Sequence, residues 1–255
     1  MAVGKEEYFE NDELKIYRGE DFVVSKYIKI HQPTLGEICD YGEQSYWSML
    51  YNFTATPQSM KAQLWYSFNQ FDYTTITPYQ LFYSLLFKLF PKDRTKILFG
   101  DLDFSKFTLK KRKDDSIVLC QIINNELVLF DEYTYELIID YLCRSHFIER
   151  DLQIPANDST KMILIEDAKE ELDRNRSKEY HSKLKNLISA MVNSEGFKYN
   201  HSQVWDMKIN AFMDSVKRIS KIKNSDLLLQ SGYSGYGVNL KEVDKNQLDW
   251  IGELD

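Results

Sequence analysis

The chain has 255 residues, 43% of them hydrophobic and 28% charged, and its formal net charge at pH 7 is −7. This composition is typical of a folded globular protein and excludes a disordered chain. The acidic balance argues against a nucleic-acid-binding protein that works by neutralising phosphates.

Three features of the sequence indicate the cellular compartment of the protein: its N-terminus, its longest apolar run and its cysteines. Residues 1–7 are too polar for a signal peptide, and the apolar run 81–90 is far shorter than the ~20 residues of a membrane helix. The odd set Cys39, Cys120 and Cys143 predicts free, buried thiols in a reducing compartment. We therefore expect a soluble cytoplasmic protein with neither a membrane partner nor a nucleic-acid partner.

The first elements are predicted to be short strands followed by a helix. Residues 14–30 alternate weakly between apolar and polar side chains, which predicts two or three strands with a turn at Gly19. Thr34 and Glu37 have the spacing of a capping box, in which each side chain binds the other residue's backbone amide. A helix is therefore expected to begin after Thr34.

The segment 46–90 has about twice the aromatic frequency of the whole chain. Its apolar residues recur at helical spacing, and the pairs Thr56-Pro57 and Thr77-Pro78 suit helix starts, with threonine as the cap and proline as the first residue. We predict three short helices here that pack on nearly all sides.

A β-hairpin and a helix are predicted next. Residues 116–123 and 126–130 flank Asn124-Asn125, and asparagine tolerates the positive φ of a tight turn. A further strand is expected at 96–99. Asp131 is predicted to cap a helix that continues through Phe147. Its inward face should carry Tyr135, Ile138, Ile139 and Leu142.

The chain is predicted to divide at the aperiodic, proline-bearing segment 153–158. The parts would be an α+β domain, 1–152, and a helical domain, 159–255, that ends in a tail anchored by Trp250. Two runs in the second part have i, i+3, i+4, i+7 spacing and predict an antiparallel helix pair with an apolar seam. Phe212 should face that seam and Lys208 the polar side. The spaced residues are Leu184, Leu187, Ile188 and Met191, then Ile209, Phe212, Met213 and Val216.

These elements together predict a predominantly helical α+β protein, with small antiparallel β elements in the N-terminal part. Their candidate motifs for catalysis, metal binding and nucleotide binding are all incomplete. Cys143 and His146 offer two ligands, whereas zinc needs three or four. Asp101 and Asp103 indicate a turn, and the glycines of 232–237 follow a helix rather than the strand that a nucleotide loop requires. We therefore predict no catalytic residue, no metal and no cofactor.

Several motifs, structural rather than chemical, occur in a fixed order over about half of the chain. They are 30–38, 41–43, 187–193, 196–199, 205–207, 212–216, 233–236 and 248–251. This set resembles a family of proteins from tailed phages and prophages of low-GC Gram-positive bacteria. The resemblance implies a role in tail morphogenesis in the host cytoplasm, in particular as a chaperone of the tape-measure protein.

Three classes of function remain open at this point. The first is a non-enzymatic chaperone whose apolar groove holds a helical segment of a tail protein. The alternative is a structural component of the tail or neck that stays in the virion, and the third is an enzyme such as a nuclease. For the chaperone, partially exposed aromatic residues are the expected partner-binding side chains. The candidates are Tyr46, Trp47, Trp65, Tyr66 and Tyr83.

Overall fold

The computed structural model describes residues 12–234 and 237–254. It confirms a predominantly helical α+β fold with two small antiparallel sheets in the N-terminal half and a helical C-terminal part. The α-helices of the described residues are α1 (Asp12–Arg18), α2 (Leu35–Tyr41), α3 (Glu43–Phe53), α4 (Lys61–Ser67), α5 (Pro78–Leu81), α6 (Lys92–Phe99), α7 (Glu132–His146), α8 (Asp158–Arg176), α9 (Lys183–Val192), α10 (Ile209–Tyr233) and α11 (Lys245–Leu248). The strands are β1 (Phe22–Val23), β2 (Lys29–Ile30), β3 (Thr108–Lys111), β4 (Ile117–Ile123) and β5 (Glu126–Phe130).

The N-terminal strand prediction is only partly right. β1 and β2 do form a hairpin, but the residues before Gly19 form helix α1. The helix buries Ile16 and ends at Gly19, which has a φ of 76°. The Gly19 amide donates to the Ile16 carbonyl and the Glu20 amide to the Lys15 carbonyl, a glycine-terminated helix end. Tertiary burial of Ile16 therefore outweighs the weak alternation.

The predicted helix caps are mostly confirmed. The Thr34 amide donates to Glu37 at 2.7 Å and the Glu37 amide to Thr34 Oγ1 at 3.1 Å. Thr77 and Gln80 form a second capping box, with Pro78 as the first residue of α5. The prediction for Pro57 is wrong, because α4 begins only after Met60.

The predicted hairpin is confirmed as β4 and β5. Its turn residues Asn124 and Asn125 have φ values of 50° and 63°, which match the tight turn expected of them. β3 adds a third strand that was not predicted, in the order β3-β4-β5. The strand expected at 96–99 is wrong, because these residues form the end of α6.

An aromatic cluster forms the centre of the core. The Phe53 ring lies 5.1 Å from both Phe82 and Phe104, and Phe130 lies 5.5 Å from Phe82. The same hydrophobic cluster continues into the C-terminal part. The aromatic-rich segment therefore serves mainly to build the core, while the division of the chain at 153–158 stays a prediction.

The two C-terminal helices lie where the spacing predicts them, as α9 and α10. Gly196, in the segment between them, has a φ of 93°. α10 packs against α7 and α1. The buried Asn210 side chain donates to the Arg144 and Ser145 carbonyls at 3.3 and 3.2 Å, which satisfies carbonyls at the end of α7.

The position predicted for Lys208 is wrong. Lys208 precedes α10 and is half-buried, and its ammonium donates to the Gln32 carbonyl at 2.7 Å. Its stem packs so closely on Gly19 that a Cβ there would lie 2.3 Å from Lys208 Cγ. Lys208 therefore joins the C-terminal part to the N-terminal part, and it is not a neutral reference position.

The C-terminal tail packs back onto α10. Ser225 Oγ donates to the Leu248 carbonyl at 3.0 Å, and Arg218 donates to the Trp250 and Gly252 carbonyls at 2.6 and 2.7 Å. Because the Trp250 side chain itself is exposed, the predicted aromatic anchor is wrong and main-chain carbonyls hold the tail.

The glycine-rich loop predicted at 232–237 begins later than expected, because α10 runs through Gly232 to Tyr233. A Cβ at Gly232 would lie 2.3 Å from Leu240 Cγ, so glycine permits the close return of the chain. Gly235, which belongs to the same predicted loop, lies outside the described residues. Among the helices described here, none is long and apolar enough to cross a bilayer.

Candidate functional site

The five predicted partner-binding aromatics do not share one surface. Tyr46 is completely buried, so the expectation that it would be partly exposed is wrong. Its hydroxyl donates to His146 Nε2, and its ring contacts Trp47 edge to face with the centroids 5.4 Å apart. Tyr46 therefore supports the residues around it from inside the core.

Trp65 and Tyr66 lie on α4, which packs against α8. Trp65 is half-buried against the core. Tyr66 is exposed, but its hydroxyl donates to Glu166 and the Lys169 ammonium lies 5.0 Å from its ring. Tyr66 is therefore engaged within the chain, and a partner-binding role for Trp65 and Tyr66 stays a prediction.

Tyr83 is half-buried on another part of the molecule. Its ring contacts Tyr79 edge to face at 5.2 Å, and both line a cavity of about 440 Å³ whose other walls carry mostly polar and charged side chains, among them Arg112 and Asp131. This polar cavity is a poor match for an apolar helix.

Trp47, by contrast, lines a cleft of about 800 Å³. Its aromatic wall comes from α3, where Trp47 and Tyr51 stack at 5.8 Å, and Tyr51 is 53% exposed. Leu187 of α9 and Met213 of α10 supply aliphatic and thioether surface. We call this site the Trp47 cleft. Its remaining apolar lining comes from Phe147, Ile148 and Leu184.

The carboxylate of Glu43 connects two walls of the Trp47 cleft, α3 and α9. Glu43, at the start of α3, accepts hydrogen bonds from the Lys183 and Leu184 amides at 3.0 and 2.9 Å. The Ser182 hydroxyl accepts from the Lys185 amide at 2.9 Å, so the amides of the first three residues of α9 all have partners. A negative group at a helix N-terminus is favourable, and here it also sets the spacing between α3 and α9.

A buried, neutral histidine forms part of the floor of the cleft. Burial lowers the pKa of His146 to about 4. Its Nδ1 lies 2.9 Å from the Leu142 carbonyl and its Nε2 accepts from Tyr46, so both ring nitrogens are engaged. The histidine has no nitrogen free for a substrate or a metal.

The rim of the Trp47 cleft is polar and of mixed charge. It includes Lys178 and Glu179 in the loop between α8 and α9, and Glu149 after α7. The loop residue Tyr180 also lines the cleft, and burial together with a hydrogen bond to Glu43 raises its pKa to about 12. An apolar floor with a mixed polar rim suits an amphipathic helix, whose charged face stays in water.

The spacing of Trp47 and Tyr51 could have revealed this site, because residues four apart lie on one helical face. Leu187 and Met213 were instead assigned wholly to a helix seam. The cleft also needs the loop between α8 and α9, whose position has no sequence signal.

No arrangement for a metal is present among the residues that the structure describes, where no three histidine, cysteine or acidic side chains come together suitably. Asp103 caps a short helical turn and Asp101 pairs with Lys92, so both lie in the turn expected from the sequence.

The cysteines differ from one another more than expected. Cys120 is buried as predicted and Cys143 is half-buried, but Cys39 is exposed, on α2. Burial raises the pKa of the Cys143 thiol to about 11, which leaves little reactive thiolate near neutrality. The three thiols are therefore expected to have different reactivities.

We expect Cys39 to react first with iodoacetamide in the folded protein, because it alone of the three is exposed. Intact-mass analysis should show one rapid adduct, and the Cys39→Ser variant should lose that rapid phase. Equal labelling of Cys143 in the native protein would contradict the burial of that thiol.

The fold and cleft define a predominantly helical α+β protein with an apolar cleft between α3, α9 and α10. Residues 175–255, just under a third of the chain, match the family model described as the YomV second domain. The match points to a phage-related protein. It begins near the end of α8 and includes the α9 and α10 walls of the Trp47 cleft. No curated protein and no solved structure matches the chain.

Proposed function

We propose that this protein binds an apolar helical segment of a phage tail protein, such as the tape-measure protein, during assembly in the host cytoplasm. The observation that carries the proposal is the Trp47 cleft, with apolar walls from α3, α9 and α10 and a mixed polar rim. Apolar helical stripes that wait for assembly expose contiguous patches and promote aggregation. A cleft that covers such a stripe would delay aggregation.

The proposed role is binding without catalysis. The buried histidine in the cleft is engaged at both ring nitrogens, and the side chains around it are chiefly aromatic, aliphatic or on the solvated rim. The match to the YomV second domain supports a phage-related role for the cleft, since it covers the segment that supplies α9 and α10.

The proposal is tested by co-expression with the tape-measure protein of the same phage gene cluster, followed by pull-down. Tyr51→Asp places a charge on the exposed wall of the cleft and should abolish recovery of the tape-measure protein, the client in this experiment. Tyr133→Asp is a matched control, because Tyr133 is also an exposed tyrosine but lies outside the cleft. Its recovery of the client should equal that of the wild type.

Two results would count against this function. The first is equal recovery with both folded variants, which would remove the Trp47 cleft from the interaction. The second is stoichiometric presence of the chain in purified virions, measured by mass spectrometry, which would favour the structural-component alternative.

A further inference from the structure

A second apolar groove lies on the opposite side of the N-terminal half of α10 from the Met213 wall of the Trp47 cleft. It has a volume of about 550 Å³ and runs between α1 and α10. Leu14 is 81% exposed, and Tyr17 and Tyr199 are also exposed in its walls. We call it the α1–α10 groove. Its lining is Leu14, Lys15, Tyr17, Arg18, Tyr199, Met207, Ala211 and Ser215.

The α1–α10 groove continues the surface on which the tail lies. Ala211 and Ser215 line the groove, while Arg218 and Ser225 bind the carbonyls of the tail. These four residues are spaced by four, three and seven, so they lie along one stripe of α10. One half of the stripe is therefore covered by the chain's own tail, and the other half is left uncovered by the residues that the structure describes.

The tail presents apolar side chains outward. Because its main-chain carbonyls are the groups bound by α10, the side chains of Trp250 and Ile251 are left exposed, the latter at 71%. The described tail carries four carboxylates, Glu242, Asp244, Asp249 and Glu253, and two cations, Lys241 and Lys245. Within the described residues, none of the four carboxylates forms an ion pair.

The α1–α10 groove is complementary to the tail in charge and is also apolar. Its cations are Lys15, which forms no ion pair within the described residues, and Arg18, which pairs with Glu20. The groove is thus apolar and basic, whereas the tail is apolar and acidic on balance, with four carboxylates against two cations. Opposite charge around matched apolar surfaces is the usual pattern of a specific interface.

We propose that these two surfaces bind each other between two copies of the chain. A twofold axis between Ser215 and Arg218 would bring two α10 helices side by side and antiparallel. The groove half of each stripe would then face the tail half of its partner, as a self-complementary dimer interface requires. This proposed dimer does not depend on the proposed binding of a phage tail protein, since the Trp47 cleft has different lining residues.

The test is sedimentation equilibrium of the full chain at up to about 100 μM, where an interface with micromolar Kd would be populated. The wild type should dimerise. Leu14→Asp in the groove and Ile251→Asp in the tail should each weaken dimerisation about tenfold or more, because each buries a charge in an apolar contact. Ile163→Asp, at an exposed site on α8, is the control and should leave the dimer unchanged.

Mixing the two variants gives a sharper result. A mixed dimer of Leu14→Asp and Ile251→Asp would retain one intact groove–tail contact, so association should recover to an intermediate affinity. A monomeric wild type, a dimer unaffected by both variants, or equal loss in Ile163→Asp would overturn the proposal.

Discussion

Replacing Phe212 by alanine is expected to lower the free energy of unfolding by ~3–5 kcal/mol. The Phe212 side chain is fully buried in the first turn of α10, within the same hydrophobic cluster as the aromatic core. Its loss would leave a cavity where α10 meets the N-terminal part. Since domains of ordinary stability unfold at ~5–15 kcal/mol, this would remove a large share of the total. Urea unfolding should show the change as a lower midpoint.

The control for Phe212 is Leu227→Ala on the same helix. Leu227 is 66% exposed, so its truncation should change stability by no more than about 0.5 kcal/mol. Lys208, which the sequence places on the polar side of this helix, is unsuitable as a control because it bridges two parts of the molecule. Equal urea midpoints for Phe212→Ala and Leu227→Ala would show that the buried face of α10 is misassigned.

The second large effect is expected from pH, through His146. Burial lowers the pKa of this residue from 6.5 to about 4 in the folded protein. Between these values the unfolded chain binds a proton that the folded chain does not, so the free energy of unfolding falls as pH falls. From about pH 7.5 to about pH 5 we expect a loss of about 2 kcal/mol from this residue. Urea unfolding at both pH values measures it.

The His146→Gln variant isolates this contribution. It should be less stable than the wild type near neutrality, yet lose less stability over the same pH interval. His201→Gln, at an exposed position, should keep the wild-type slope. Identical slopes for wild type and His146→Gln would rule out a buried neutral histidine.

Carboxylates with a lowered pKa titrate below the pH interval in which His146 acts. Partial burial raises the pKa of Asp21, but hydrogen bonds from Lys29 and His31 outweigh it and the pKa is lowered overall. Glu37 behaves similarly, with burial outweighed by the Thr34 amide and His31. Their stabilisation is present above their ordinary values of 3.8 and 4.5 and is lost as pH falls further.

The sequence by itself determined the elements that depend on near neighbours. The capping boxes at Thr34 and Thr77 involve residues three apart, and the Asn124-Asn125 turn needs only a local positive φ. The buried face of α7 and the positions of α9 and α10 follow from helical spacing. Each of these signals lies within a few residues, where local geometry has few alternatives.

Only the tertiary structure decided which side chains are exposed and which residues they contact. Tyr46 and Trp47 are adjacent in an aromatic-rich helix, yet one is buried against His146 and the other lines the cleft. The weakly alternating residues before Gly19 became helical because Ile16 enters a core built by distant residues. The Trp47 cleft, the Lys208 bridge and the docked tail join segments more than twenty residues apart. Periodicity shows which face of an element is apolar, but burial depends on which distant element covers that face.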